Sequence, residues 1–372
     1  MSKNERTTHF RCPTIAVVGC GAAAREFCLP LLRRYPGSET AVVLVDHSQQ
    51  QADSVGREFG FTQTCTDYRC LPFAVDAAVV MTPHNLHAEQ ATHFLRSGCH
   101  VFVEKPMAMS PPQSEELVAS AASCGRILMV NNYRRLFPSY QRVRQVIQSG
   151  TLGKIDRVSI RDGTEFGWNS ASSFYFRDPS VRGVLLDRGA HTIDVINWWL
   201  GKSPRVAKAE WDAHGGIDAR MDVLLNYEQT EVSTRFGRFY RLANDYRIEC
   251  EDGMIKGRLF DFSRLSITRH GVTETVVAGP ARSHTDYAWQ LLANFIDAVS
   301  GRAEPLFLAA DVAPSIRVID EAYQLATRFN MPWYDDDPNI AMLTRRHQPQ
   351  HTSPSHRDGN DEGKDGSEGS AR

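Results

Sequence analysis

Short, wholly apolar runs alternate with amphipathic stretches through the first third of the chain. "TIAVVG" (14–19), "AVVLVD" (41–46), "DAAVVMT" (76–82), "HVFVEK" (100–105) and "ILMVNN" (127–132) are rich in β-branched residues. Runs of that length and composition predict strands buried on both faces. Helices are predicted between them: after Gly19 to about Arg34, over 48–59 with Gly60 as the stop, and from Asn85 as N-cap to Ser97 with Gly98 beyond. Another is predicted from Pro111 and Pro112 to Gly125. Strands alternating with helices predict βαβ units and a parallel sheet. The rhythm changes after about residue 150. Residues 155–166 and 204–278 carry short alternating segments parted by turn residues, the mark of an antiparallel sheet. One helix is expected near 189–200 and two more over about 285–299 and 310–328. The fold class expected is α/β: a doubly wound parallel sheet of the Rossmann kind, followed by an α+β domain with a large, mainly antiparallel sheet. The boundaries read as a flexible 1–11, a dinucleotide-binding domain over 12–132, a substrate and oligomerisation domain over 133–335, and a disordered polar tail over 343–372. No internal repeat is visible.

Composition narrows the function classes. The chain has 372 residues, enough for two domains, with 42% hydrophobic and 23% charged residues. Its formal net charge of −2 gives no electrostatic reason to expect nucleic acid or an anionic membrane as partner. No apolar run is long enough to span a bilayer, and "MSKNERTTHFRC" lacks the apolar core of a secretory leader. The eight cysteines form no CxxC pair, which favours reduced thiols in a cytoplasm, with Cys12 and Cys20 read as packing residues. The 13 histidines contain neither HExxH nor a Cys/His cluster, and His84 and His87 read as a polar turn, so no metal is expected.

Four motifs carry chemistry. "VVGCGAAARE" (17–26) places Gly19 and Gly21 at the first strand-to-helix turn, with Ala22 beside them and Ala24 in the third glycine's place. The first glycine permits the turn and the second lets backbone approach a pyrophosphate at a helix N-terminus. Asp46 ends the second strand about 20 residues on, where a carboxylate binds ribose hydroxyls and repels a 2′-phosphate. This favours NAD, with NADP kept open by His47 and Ser48. "MTPHNLHAEQA" (81–91) supplies Thr82, Pro83 and His87 at the end of the next strand. "EKP" (104–106) ends a buried strand on Glu104 and Lys105; a surface ion pair is one reading, a cation facing a ligand crevice the other. "GVLLDRGAHTIDVINWWLG" (183–201) puts Asp187 one helical turn before His191, an arrangement that suits a general base oriented by its acid, with Asp194 beyond.

Together, in this order and spacing, these motifs resemble the glucose–fructose oxidoreductase, inositol dehydrogenase and rhizopine-catabolism (Gfo/Idh/MocA) family, over roughly residues 12–335. The resemblance implies NAD(P)-dependent hydride transfer to or from a carbon of a sugar, cyclitol or related polyol. It implies that Lys105 orients the substrate hydroxyl and helps its proton leave, that His191 is the acid/base and shares the proton with Lys105 in one version, and that Asp187 is its partner or a substrate hydrogen-bond acceptor. Glu104 and Lys105 would sit beside the cofactor with Gly19, Gly21, Ala22, Asp46, Thr82, Pro83 and His87. A homodimer or homotetramer would form through the open face of the large sheet. His84 departs from the family's usual Asn. Substrate contacts are expected from Asn132 and Arg134 of "NNYRR", from Trp168 as a wall for a sugar ring, and from Arg188 toward an anionic group. Trp168 in ordinary packing and Arg188 in solvent are the bland readings. Two other functions compete: redox-neutral use of a tightly held NAD, and a non-catalytic dinucleotide sensor or scaffold.

Overall fold

The computed structural model of the protein describes residues 12–168, 181–212 and 217–330. The expected flexible 1–11, the end of the second domain beyond 330 and the polar tail over 343–372 lie outside the described residues.

Six parallel strands form the first sheet: β1 (Ile15–Val18), β2 (Val42–Val45), β3 (Gln63–Cys65), β4 (Ala77–Val80), β5 (His100–Val103) and β6 (Leu128–Val130). Their order is β3-β2-β1-β4-β5-β6, the doubly wound Rossmann arrangement. β1, β2 and β4 are buried along their whole length, because helices cover both faces. The order reverses between β1 and β4, which lie in parallel register from Ile15 against Ala77 to Val18 against Val80. That reversal leaves a crevice beyond their carboxyl ends.

Helix boundaries follow local chemistry where local chemistry suffices. Two one-turn helices, α1 (Leu29–Leu32) and α2 (Ser38–Ala41), lie between β1 and β2, and Gly60 and Gly125 close the longer α3 (Gln49–Phe59) and α5 (Pro111–Cys124) in the left-handed conformation. Ser48 caps α3 by accepting from the backbone N–H of Gln51. Asn85 does not cap the next helix. It lies inside a 3-10 turn, His84–Leu86, and α4 begins at His87 and ends at Arg96. A helix that the sequence reading omitted, α6 (Pro138–Gln148), starts on Pro138 and buries Tyr140, Val143 and Val146 along one stripe.

The second sheet has nine strands. β7 (Ile155–Gly163) pairs parallel with β10 (Thr230–Gly237) and antiparallel with β11 (Asp245–Cys250). Beyond β10 lie β9 (Arg220–Tyr227) and β8 (Arg205–Trp211), both antiparallel. Beyond β11 lie β12 (Gly253–Arg258), β13 (Arg264–Arg269) and β14 (Val272–Val277). A two-residue β15 (Thr327–Arg328) adds a parallel edge to β8. α7 (Val184–Leu200) packs on β9 and β10, and α9 (Ala309–Leu325) packs on β8, covering the inner face. The outer face carries interleaved charges, among them Arg161 on Asp245 and Arg235 on Asp222. α8 (His284–Val299) opens on a capping box between Ser283 and Asp286 and meets β5 of the first sheet.

α7 starts at Val184, earlier than the pattern predicts, and its N-terminus is held from far along the chain. The carboxylate of Asp218 accepts from the N–H of Leu185 at 2.8 Å and from the hydroxyl of Tyr323 at 2.8 Å. A side chain on Gly183 would meet the backbone oxygen of Asp218 at 2.1 Å, so only glycine fits there. At the next turn Arg135 holds Asp194 with two hydrogen bonds, of 2.9 and 2.5 Å.

The two motif glycines make different demands. Gly19 has φ of +95°, and a Cβ on it would stand 2.9 Å from the backbone of Met81 and the methyl of Thr82. A Cβ on Gly21 would meet nothing within 4 Å. Gly19→Ala is therefore expected to cost about 1–3 kcal/mol and lower the melting temperature by several degrees, whereas Gly21→Ala leaves it almost unchanged. Thermal melts of the two variants check this; equal melting temperatures would show that the Gly19 turn is not under that constraint.

Candidate active site

A cavity of about 570 Å³ opens at the carboxyl ends of the first sheet's strands and is walled on its far side by the second sheet and α7. It takes residues from the glycine-turn helix, the turn after β4, the Glu104–Lys105 turn, residues 133–137, residues 164–168, α7, the β12–β13 turn and His284. A larger trough of about 910 Å³ on the outer face of the second sheet contains none of Lys105, Asp187 or His191.

The Lys105 ammonium reaches across to the start of α7. Its Nζ donates to Oδ1 of Asp187 at 2.7 Å and to the Asp187 carbonyl at 3.0 Å. Arg238, buried at the end of β10, approaches the other carboxylate oxygen at 3.4 Å. Burial alone would raise the Asp187 pKa; Lys105 and then Arg238 outweigh it and hold the carboxyl well below the usual range. Asp187 thus stays ionised. The expected pairing of Asp187 with His191 is not what the structure shows: the carboxylate goes to Lys105 and Arg238. Asp194, the other acid near His191, belongs to Arg135.

His191 lines the cavity and is buried, with Nδ1 unpartnered among the described residues. Its ring meets the edge of Tyr133 at 5.1 Å between centroids. Burial pushes its pKa well below the usual value, and the nearby Arg134 and Lys105 charges add to the effect. The imidazole is neutral at neutral pH.

Glu104 is no surface partner for Lys105. It is buried, accepts from the amide of Asn131 and takes the Lys105 backbone N–H at 3.0 Å. Burial raises its pKa. The Lys105–Pro106 peptide bond is cis. His87 ties this turn to the one after β4, its ring nitrogens facing the carbonyls of Pro106 at 2.8 Å and Thr82 at 2.7 Å. The Thr82 hydroxyl meets Gln90 at 2.6 Å, and Pro83 precedes the 3-10 turn.

The expected substrate contacts divide. Arg134 lines the cavity, but its guanidinium donates to Asp162 at 2.9 Å and to Thr192 at 3.1 Å. Arg188 lines the cavity and is largely shielded from solvent. It holds the other Asp162 oxygen at 2.6 Å and the Thr164 hydroxyl, because a buried carboxylate needs charge on both sides. The two arginines overcome burial and lower the Asp162 pKa to about 2. Asn132 does not line the cavity: it is buried and donates to the Ala190 carbonyl at 3.2 Å. Trp168 does line it, stacked on Phe27 at 5.7 Å and 14°.

Sequence reasoning missed Asp162 and Arg238. Both were accessible to it. On β7 the inward residues are Val158 and Ile160, and on β10 they are Val232, Thr234 and Phe236; Asp162 and Arg238 continue the same period-two phase. A charge at an inward position signals a buried pair.

The residues fit a dinucleotide. Gly21 leaves open space over the first turn, and Ala22 follows it at the start of the helical segment. Asp46 stands at the end of β2, accepting from the N–H groups of Cys20 and Ser48 at 3.0 Å each, a geometry that fixes its carboxylate beside that turn. Comparison with known proteins agrees. Residues 14–132 match the model of an oxidoreductase family with an NAD-binding Rossmann fold, and residues 140–256 match the GFO/IDH/MocA C-terminal domain. The chain belongs to the Gfo/Idh/MocA family. It is 29% identical over 189 residues to D-glucoside 3-dehydrogenase of Escherichia coli, a match covering 50% of this chain and 54% of that one. It is 24% identical over 285 residues to 4-carboxy-2-hydroxymuconate-6-semialdehyde dehydrogenase of a Sphingobium species, covering 69% and 86%. It is 30% identical over 217 residues to the rabbit trans-1,2-dihydrobenzene-1,2-diol dehydrogenase, covering 57% and 64%. The chain thus spans about half to two thirds of two of these relatives. In fold it is similar to a 3-ketoreductase from Actinomadura kijaniata solved with NADP and TDP-benzene, with a TM-score of 0.74 and 23% identity over 86% of this chain and 99% of that one.

His84, in the place of the family's Asn, is buried with Nε2 2.8 Å from the Val181 carbonyl. Burial lowers its pKa to about 4. The unfolded chain therefore binds a proton that the folded chain refuses. The associated stability is complete above about pH 6.5 and is lost as pH falls toward 4, by at most about 3 kcal/mol. His87 and His191 shift in the same direction. His84→Asn should accordingly shrink the drop in melting temperature between about pH 7 and pH 4.5. Melts across that range check it, and an unchanged drop would show that His84 is not among the groups responsible.

Proposed function

We propose that the protein is an NAD-dependent oxidoreductase that moves a hydride between nicotinamide and a ring carbon bearing a hydroxyl or keto group, on a sugar, cyclitol or related alcohol. The observation that carries this reading is the convergence of Lys105, Asp187 and His191 on one cavity at the mouth of a dinucleotide fold. The bound nicotinamide supplies the hydride chemistry. Gly19, Gly21, Ala22, Asp46, Thr82, Pro83, His87 and Glu104 form or brace its site in this reading, and Asp46 disfavours a 2′-phosphate.

The chain's own residues handle the oxygen and its proton. Lys105, held by Asp187, donates a hydrogen bond to the reacting oxygen and stabilises the negative charge that develops there. Asp187 holds the ammonium in place and, being ionised throughout, does not exchange protons itself. The neutral imidazole of His191 accepts the proton that leaves the hydroxyl and returns it in the reverse direction. Arg134, Arg188 and Asp162 form a buried network that fixes the floor of the cavity.

Lys105→Met should lower turnover on any accepted substrate by about 100-fold or more while leaving the NADH dissociation constant within about threefold of wild type. Near-normal turnover would remove Lys105 from the mechanism. In the same titrations Asp46→Ala should weaken NADH more than NADPH. Equal weakening would mean that Asp46 does not read the ribose. The proposal includes a homodimer or homotetramer formed through the charged outer face of the large sheet. Light scattering at two salt concentrations should show an assembly that loosens as salt rises, and a monomer throughout would refute it.

A further inference from the structure

The nine-stranded sheet has an unprotected edge. β14 lies at the end of its strand order and pairs on one side only, with β13. The other edge strands among the described residues are short: β3 and β6 have three residues each and β15 has two. Shortness is one way of blunting an edge; lysine, proline and bulges are others. β14 has six residues, VTETVV, without lysine or proline, and its ladder with β13 runs without a register shift. Five of the six are exposed. Val272 and Val277, at 72% and 69%, are the most exposed large apolar side chains among the described residues.

The hairpin turn decides which backbone groups are free. His270 and Gly271 join β13 to β14, both left-handed, with φ of +49° and +78°. In such a two-residue turn the flanking Arg269 and Val272 exchange hydrogen bonds, and bonded pairs then alternate along the ladder. Val272, Glu274 and Val276 therefore bond to β13. The same phase continues at Ala278, whose N–H donates to the Ser263 carbonyl at 2.7 Å. Thr273, Thr275 and Val277 point their N–H and C=O groups away from the sheet. Beyond them Gly279 is packed on Pro138, which a Cβ would meet at 2.7 Å, so the free row ends at Val277.

That row is symmetric about Thr275. We infer that β14 pairs antiparallel with β14 of a second copy of this chain, across a two-fold axis at Thr275. Thr275 exchanges hydrogen bonds with the partner's Thr275, and Thr273 with the partner's Val277. Between these bonded pairs Glu274 stands opposite the partner's Val276, and Val272 opposite the partner's Ala278, so both exposed valines gain cover. An axis at Glu274 would set two carboxylates face to face, and an axis at Val276 would need the packed Gly279. The two nine-stranded sheets become continuous, with their outer faces on the same side. This contact is made by main-chain bonds, apart from the charged outer face, and does not rest on the hydride-transfer reading. Together with an outer-face contact it gives a tetramer.

Light scattering of the full chain in about 0.5 M salt, where contacts between charged faces are screened, tests this. The wild type should be at least a dimer there. Thr275→Pro removes an N–H that only the partner uses, and should weaken self-association about tenfold or more while melting within a few degrees of wild type. Thr275→Val keeps that N–H and should assemble as wild type does. A wild type that stays monomeric at this salt up to about 100 µM would overturn the inference. So would an assembly that Thr275→Pro leaves unchanged, and an assembly seen only at low salt would overturn it while upholding the outer-face contact. Should Thr275→Pro fail to fold, Thr275→Cys decides. Its two thiols would face each other at the Cα separation of a bonded pair, about 5.5 Å, within disulfide reach. Oxidation with copper phenanthroline should give a crosslinked dimer in excess of wild type and of Thr268→Cys, one strand inward; no excess overturns the inference.

Discussion

The meeting of Lys105 with Asp187 is the interaction on which the site depends. It joins the end of a Rossmann strand to the first turn of a helix lying on the other sheet, 82 residues further along. A charge removed from water must find an opposite charge and further hydrogen bonds, or shed its own. Here the ammonium finds the carboxylate and the Asp187 carbonyl, and the carboxylate finds Arg238 as well. Removing Asp187 would leave the half-buried Lys105 ammonium without its carboxylate, and removing Lys105 would leave Asp187 with Arg238 alone. The pair therefore fixes how the carboxyl ends of the first sheet face α7.

The remaining charges follow the same rule. Asp162, wholly buried, is neutralised from both sides by Arg134 and Arg188. Asp218 caps α7 and takes the Tyr323 hydroxyl, and Asp194 takes Arg135. Three separate anchors thus hold one helix against the second sheet and the 133–136 turn. Burial first, and then the cations crowding the cavity floor, explain why His191 is neutral. Desolvation disfavours its charged form, and the neighbouring cations oppose a further positive charge.

How much of this was legible in the sequence depends on the range of the physics. The parallel sheet was legible because strands buried on both faces write continuous apolar runs, and β1, β2 and β4 are such runs. The helix stops at Gly60 and Gly125 were legible because a left-handed residue closes each helix locally. Lys105, Asp187 and His191 were legible as candidates, since each interrupts a pattern that would otherwise bury apolar side chains. Their pairing was not. The i, i+4 spacing on α7 suggested that Asp187 orients His191, and a lysine distant in sequence takes that carboxylate instead. The partners of Arg188 and Asn132 were not legible for a related reason: the buried Asp162 and the Ala190 carbonyl take them through space.

The sequence by itself determined most of the elements, the doubly wound class of the first domain, the glycine turn and Lys105, Asp187 and His191 as residues that face the crevice. These follow from local backbone preference and from the period with which apolar side chains recur, and both act within a few residues. Only the tertiary structure decided which charges pair, where α7 begins, and that Trp168 stacks on Phe27. Coulombic pairing and ring stacking act through space between elements far apart in the chain, and desolvation makes those distant partners obligatory.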